Sequence, residues 1–544
     1  MSLLDPECVA IQLGPTNENQ TKIPQSQGSE PNPPSLHKVH PPQAWHSKLP
    51  RRGAAFVCIA LAIYTLFMYL PTISIVVSPC WAITSCLTTT KSSSVLESNI
   101  KSMLLATNAK LNRLETYQQT DLRHIVFGIA STVSNWENRQ EYVKLWWQPP
   151  AGGTPRRGFV WLEEPLLQAT NVSADNLVLP DVRISGNTDR FLYTWKGGSP
   201  SAIRVSRIVS ETFRLSLPDV RWFVLGDDDT IFFPENLAMV LQKYDHTKLY
   251  YLGQSSESHK QSARHSFGMA YGGGGIAISY ALAESLEKMQ DGCLTRYPHV
   301  YGSDSRIEAC AAELGIPLTR EPGFHQIDMH GDIFGLLAAH PVKPVVSLHH
   351  VDSIEPIFPN MTRLQALQHL VIDGAVSDPV GTLQQSICYD THQNVTLSVS
   401  WGYAVQIFEG TWTPLEVQKP SMTFLDWRTG QADEELFTFD VRRLPEDECT
   451  RPVVFFMESV RDVGDGTTSI GVYKRWAPSE NCRSFIGHNT VEVHKQRQGQ
   501  SWLTAPRRQG CEVVPQKLPS VSGLRPLIIH VRDFKDNEII APYE

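Results

Sequence analysis

The chain has 544 residues, a formal net charge of −8, 19% charged and 41% hydrophobic residues. That length exceeds what one hydrophobic core usually fills, so two folded units plus accessory segments are expected. The balance is ordinary for a globular protein and lacks the basic footprint that duplex nucleic acid demands, which argues against nucleic acid as a partner.

Residues 1–52 are rich in Pro, Gln, Asn and Ser and read as a disordered tail. From Gly53 to Thr90 there is no charged residue, and Ala54–Val77 within that stretch is long enough to cross a bilayer as a helix. A buried core helix is the alternative, but such helices usually show a polar face, whereas the few Thr and Ser hydroxyls here can be satisfied within the helix. Segment 53–78 is therefore assigned as a transmembrane signal anchor. Lys48, Arg51 and Arg52 precede it and no cation follows until Lys91, which keeps the N-terminus cytosolic and the bulk of the chain lumenal.

Residues 79–120 read as a stem. Leu96, Ile100, Met103, Leu111 and Leu114 recur at helical intervals, which is compatible with a weak dimer, although Thr107 interrupts the seam. Six of the ten cysteines lie beyond it: Cys293, Cys310, Cys388, Cys449, Cys482 and Cys511. An even number in an oxidising compartment allows three disulfides in any of fifteen pairings, with buried free thiols as the alternative. Cys293 and Cys310 flank a compact segment and are the favoured pair. Sequons at Asn171, Asn360 and Asn394 fall on the lumenal side, and a fourth at Asn19 falls in the tail.

The apolar, β-branched run His124–Thr132 predicts a buried parallel strand, followed by a helix through Trp136, Gln140, Val143 and Trp147. A second helix is predicted over Ser201–Leu215, and Pro218 stops it. Arg221–Leu225 then forms a short strand that delivers Asp227, Asp228 and Asp229 to the carboxyl end of a sheet, where open α/β folds gather their ligands. A lone acidic triplet is readily a solvated turn. At the end of a buried strand, however, three carboxylates repel one another unless a cation binds, and oxygen donors suit Mn²⁺ or Mg²⁺. Tyr271-Gly272-Gly273-Gly274-Gly275 precedes a predicted helix over Ile276–Met289; its glycines allow close backbone approach to a polar ligand, or serve a plain turn. Beyond Asp378 short β runs appear at Val395–Val399, Tyr403–Phe408, Pro452–Met457 and Leu527–Val531.

An ordered set of motifs runs through this chain: HIVFGIAS (124–131), EYVKLWW (141–147), RWFVLGDDDT (221–230), YGGGGIAIS (271–279), YGSDSRIEAC (301–310), EPGFHQ (321–326), SLHHVD (347–352), SVSWGY (398–403) and RPVVFFM (451–457). In these it resembles the fringe and β-1,3-galactosyltransferase family, and especially its plant fringe-related branch, whose members also carry a C-terminal β-rich extension. The resemblance implies a Rossmann-like α/β nucleotide-diphospho-sugar transferase fold, a single GT-A-type domain over 121–377, then a β-rich unit over 378–544. It also implies an inverting, metal-dependent glycosyltransferase of the Golgi membrane, single-pass and type II, taking a UDP-sugar donor and a carbohydrate or glycoprotein acceptor, with the lipid bilayer met through one helix.

Laid on this sequence, the resemblance makes Asp227 and Asp229 metal ligands, with Asp227 and Asp228 also meeting the nucleotide diphosphate. His349-His350 matches the family's late metal-binding histidine, with His350 preferred because Asp352 follows two places on; a buried or hydrogen-bonded loop histidine is the alternative. Ala130, Ser131 and Arg139 would line the uridine and phosphate side, and Gly273 and Gly274 the sugar side. Asp304 is implied as the catalytic base. The segment departs from the family here, because fringe proteins carry two adjacent acids and the better match to the base is Ser305, which cannot take a proton unaided at neutral pH. A catalytically silent, membrane-tethered carbohydrate-binding or scaffolding protein is the rival reading.

Overall fold

Strand Ile125–Ala130 is buried on both faces, which only a sheet covered on both sides can provide. Its side chains alternate between two cores. Ile125, Phe127 and Ile129 face a layer containing Trp146, Trp147 and Phe232, whereas Val126 and Ala130 face one containing Ile208, Phe223 and Leu282. The structure, a computed structural model, describes residues 119–149, 152–166, 179–375, 377–476, 482, 485–499, 502, 505–515 and 525–540. These fall in one compact unit that runs from 118 to 544. The predicted tail, the span 53–78, all but the end of the stem, and the Asn171 sequon lie outside the described residues. Among those described, no helix is long and apolar enough to cross a membrane.

The first sheet has seven strands in the spatial order Asp181–Ile184, Gly158–Leu162, Ile125–Ala130, Trp222–Asp227, Ile276–Ser279, Tyr251–Gly253 and Leu318–Arg320. The first four run parallel, and Ile276–Ser279 runs antiparallel between its neighbours. The register pairs Ala130 with Asp227, so two predicted ligand-side residues end adjacent central strands at the carboxyl end of the sheet. The predicted helix after the first strand spans Val133–Trp147, N-capped by Thr132. The one predicted over Ser201–Leu215 is divided at Arg207 into Ser201–Ser206 and Ile208–Phe213.

One element differs in kind. The helix predicted from Ile276 begins at Tyr280, because Ile276–Ser279 is an interior strand with all four residues buried. Alternate β-branched residues suit that strand, and Ser279 Oγ caps the helix by accepting from Leu282 N.

Past residue 378 lies an eight-stranded sheet, antiparallel except for the pairing of Thr490–Gln496 with Leu527–Arg532. The predicted β runs correspond to Val395–Ser400, Ala404–Glu409, Val453–Asp462 and Leu527–Arg532. Cys388–Cys511 brings its first and last strands to a Cα separation of 5.2 Å, so the sheet curls until its edges meet. Cys449–Cys482 and the expected Cys293–Cys310 are also formed. The two sheets share a core, in which Tyr403 and Phe456 pack on Phe334 and Phe358. The expected boundary at 377/378 is thus a change of architecture inside one unit. Asn360 and Asn394, the described sequon residues, are exposed in left-handed turns.

Candidate functional site

The aspartate strand ends in the sheet interior, so its carboxylates enter the site almost without solvent. Asp228 and Asp229 are fully buried and Asp227 is 9% exposed. The strand ends at Asp227, and in the turn that follows Asp228 takes partners of its own. Ser131 Oγ donates to its Oδ2 at 2.6 Å and Arg139 Nη1 to its Oδ1 at 3.0 Å, while Arg139 Nη2 reaches Asp352 at 2.5 Å. Ser131 and Arg139 therefore lock the middle aspartate, with Ala130 beside them at the end of its strand.

Asp227 and Asp229 share a different partner. His349 Nε2 lies 3.1 Å from Asp229 Oδ1 and 3.6 Å from Asp227 Oδ2. Among the described residues these three form the group whose ligand atoms, all within 4.8 Å of one another, could hold a metal ion. The surroundings fit a cation. Both Asp229 oxygens and His349 Nε2 are buried without a well-aligned hydrogen bond, close to opposite charge but not served by an aimed donor. His349 Nδ1 is 3.3 Å from Gln326 O, the second contact that fixes a ligating imidazole and leaves Nε2 free to bind.

Burial pushes the Asp227 carboxyl up to about 6 despite His349. Burial would raise Asp229 too, but His349 and then Arg139 hold it far below the usual carboxylate range. Burial opposes protonation of His349, yet the facing Asp229 and Asp227 charges raise it to about 9.

The preferred histidine, His350, is not the one brought to the carboxylates. It adopts φ +56° and turns its ring onto Trp427, with Nδ1 3.1 Å from Asp328 Oδ1. Its ring lies behind that of His349, on the side away from the aspartates, so His349 is the one that meets Asp227 and Asp229. Sequence spacing carried no signal for that choice, nor for Gln326, Asp328 or Trp427.

The glycine loop sits against this group. A Cβ on Gly273 would fall 2.1 Å from the His349 ring, while Gly274 N donates to Gln326 Oε1 at 2.7 Å. Thr230 Oγ1 donates to Gly273 O at 2.7 Å and accepts from Asp227 N at 2.9 Å, tying loop to strand. One residue earlier, Gly272 N faces Asp304 Oδ2 at 3.4 Å. Asp304 is 8% exposed in the first turn of helix Ser303–Glu313, and burial raises its pKa even though Ser305 N donates to Oδ1 at 2.9 Å. Ser305 Oγ is turned to Met269 Sδ at 3.1 Å. Cavities of about 490 and 450 Å³ lie elsewhere, both lined by Gln254, Lys419 and Phe439, and neither includes a carboxylate of this group.

The family described as "Protein of unknown function, DUF604" matches residues 261–511, which holds the glycine loop, Asp304 and His349 but not the aspartates. Over 141 residues the chain is 28% identical to "Beta-1,3-glucosyltransferase" of Mus musculus, a match covering 25% of this chain and 27% of that protein. In that stretch the chain is similar to a glucosyltransferase. The chain spans about a quarter of that relative's length. Solved structures of LgtC resemble it distantly: an active-site mutant at 12% identity and TM-score 0.29, and the galactosyltransferase in complex with donor and acceptor sugar analogs at 13% and 0.30. Each covers 45% of this chain and 94% of the other, and neither likeness is close enough to carry an assignment.

Proposed function

We propose that the chain is a metal-dependent inverting glycosyltransferase of GT-A type, moving a hexose from a UDP-sugar to a glycan or glycoprotein acceptor in β-1,3 linkage. The observation that carries this reading is the convergence of Asp227, Asp229 and His349 on a glycine loop whose first glycine faces buried Asp304.

Asp227, Asp229 and His349 would hold a divalent cation, Mn²⁺ being suited to two carboxylates and an imidazole. When bound, it supplies charge neutralisation for the departing diphosphate. Arg139, whose charge is already shared among Asp228, Asp229 and Asp352, keeps the carboxylates in place. Asp304 takes the proton of the acceptor hydroxyl as that oxygen bonds to the anomeric carbon, and the bond from that carbon to UDP breaks with its electron pair going to the diphosphate. An acceptor ring has a surface beside Asp304: Tyr301 stacks with His265 at 5.0 Å and contacts Trp195 at 5.8 Å, and Trp195 is 38% exposed. A Golgi, lumenal, type II setting accords with the three disulfides, which persist in oxidising compartments.

Ser305 at the family's base position favours the silent-binder reading, and one experiment separates the two. Full-length protein in detergent is incubated with UDP-glucose, UDP-galactose or UDP-N-acetylglucosamine, with Mn²⁺ or with EDTA, and UDP release is measured. Release from one donor that needs Mn²⁺ and falls about a hundredfold or more in Asp229→Ala is expected. No release from any donor, with UDP still bound, would leave the silent binder standing.

A further inference from the structure

We propose that Trp427, which lies beyond the transferase sheet, is a positioning residue for His349; this rests on the metal-dependent reading above. The imidazole of His349 is backed by that of His350, with ring centroids 3.9 Å apart. His350 is therefore the wall against which the metal-facing ring leans. Its left-handed backbone, φ +56°, is uncommon for a non-glycine residue and persists only where the surroundings over-determine it.

Two contacts do so. Asp328, itself buried and held by Ser256 Oγ at 2.5 Å, lies 3.1 Å from His350 Nδ1. The indole of Trp427 lies parallel to the His350 ring, interplanar angle 1° and centroids 4.6 Å apart. His330 also stacks on that indole, at 4.4 Å and 16°, and its Nε2 is 3.0 Å from Trp427 O.

The indole is rigidly presented. Strand Phe424–Asp426 pairs with Met329–Gly331, and Trp427 opens the turn that follows. Asp426 Oδ1 accepts from Arg428 N, Thr429 N and Thr429 Oγ1, a side-chain turn closed by Gly430 at φ +61°. From the other side Ser258 Oγ donates to Asp426 Oδ2 at 2.6 Å and Arg428 Nη1 to Gln261 Oε1 at 2.8 Å. A turn fixed on both flanks thus delivers one flat ring to the back of the histidine pair. By this reading the C-terminal part of the chain completes the metal site.

The test measures Mn²⁺ binding to full-length protein by the electron paramagnetic resonance signal of free Mn²⁺, without donor, with circular dichroism confirming the fold. Outer contacts of a metal ligand usually change affinity by about 10- to 100-fold. Trp427→Leu, which keeps apolar bulk and loses the flat face, is expected to weaken Mn²⁺ at least about tenfold, and Trp427→Phe to restore most of it. Trp427→Leu binding as tightly as the parent, or Trp427→Phe as weak as Trp427→Leu, would overturn the positioning role while leaving the metal site. A parent chain that binds no Mn²⁺ would overturn the metal-dependent reading itself and this inference with it.

Discussion

The ring of His349 lies across the α-carbon of Gly273, so close that a methyl there would fall 2.1 Å from Cε1 and 2.3 Å from Nε2. This glycine is required for what it leaves empty. Gly273→Ala must push the imidazole off the carboxylates, and turnover and Mn²⁺ affinity are each expected to fall about a hundredfold. Gly272→Ala is the matched control, since its Cβ would meet nothing nearer than Asp304 Cβ at 3.7 Å. Mn²⁺ titration of the two variants checks the contrast; equal binding in both would remove the steric argument.

Asp304 acts as a base only when ionised, and burial raises its pKa. Activity should therefore decline as pH falls, with a midpoint above the ordinary carboxylate value of about 3.9. A pH profile of kcat/KM reads this limb directly. Asp304→Asn should abolish transfer with Mn²⁺-dependent UDP binding retained, and Ser305→Ala should change turnover less than about threefold. Loss of activity in Ser305→Ala with a normal Asp304→Asn would move the base to the serine.

Trp195 is half-exposed in the aromatic group that leads to Asp304. Replacing it with Ala should raise the acceptor KM by about tenfold and leave donor hydrolysis unchanged, because stacking on an aromatic face contributes about 0.5–1.5 kcal/mol beyond area. Kinetics varied separately in donor and acceptor check the split. An effect on donor KM alone would assign the indole to the nucleotide side.

Burial pushes Asp332 up to about 6, aided by Glu355, although Phe334 N donates to its Oδ1 at 2.7 Å. The folded pKa exceeds the unfolded one, so the stabilising contribution of protonation is fully present below about pH 4 and is lost as pH rises through about 6. Asp332→Asn keeps an oxygen for Phe334 N and never ionises. It should be more stable than the parent by about 1–3 kcal/mol at pH 8 and no more stable at pH 4, measured by urea unfolding at both values.

The sequence by itself determined several of the elements. Apolar β-branched runs placed the strands around 125–130 and 222–227 and several of those beyond 378, because burial on a pleated surface selects those residue types locally. The family resemblance supplied the residues, and the Asp227–Asp229 cluster and buried Asp304 lie where the carboxyl end of a central strand and a helix N-terminus put them. Ile276–Ser279 read as helix because its short apolar run has the same local pattern in either state, and only pairing with two neighbours makes it a strand. The choice between His349 and His350 was likewise beyond any local signal. It depends on a left-handed residue, His350, on a glycine 77 positions before it and on an indole 77 positions after it, contacts that exist only once both sheets have closed on one core.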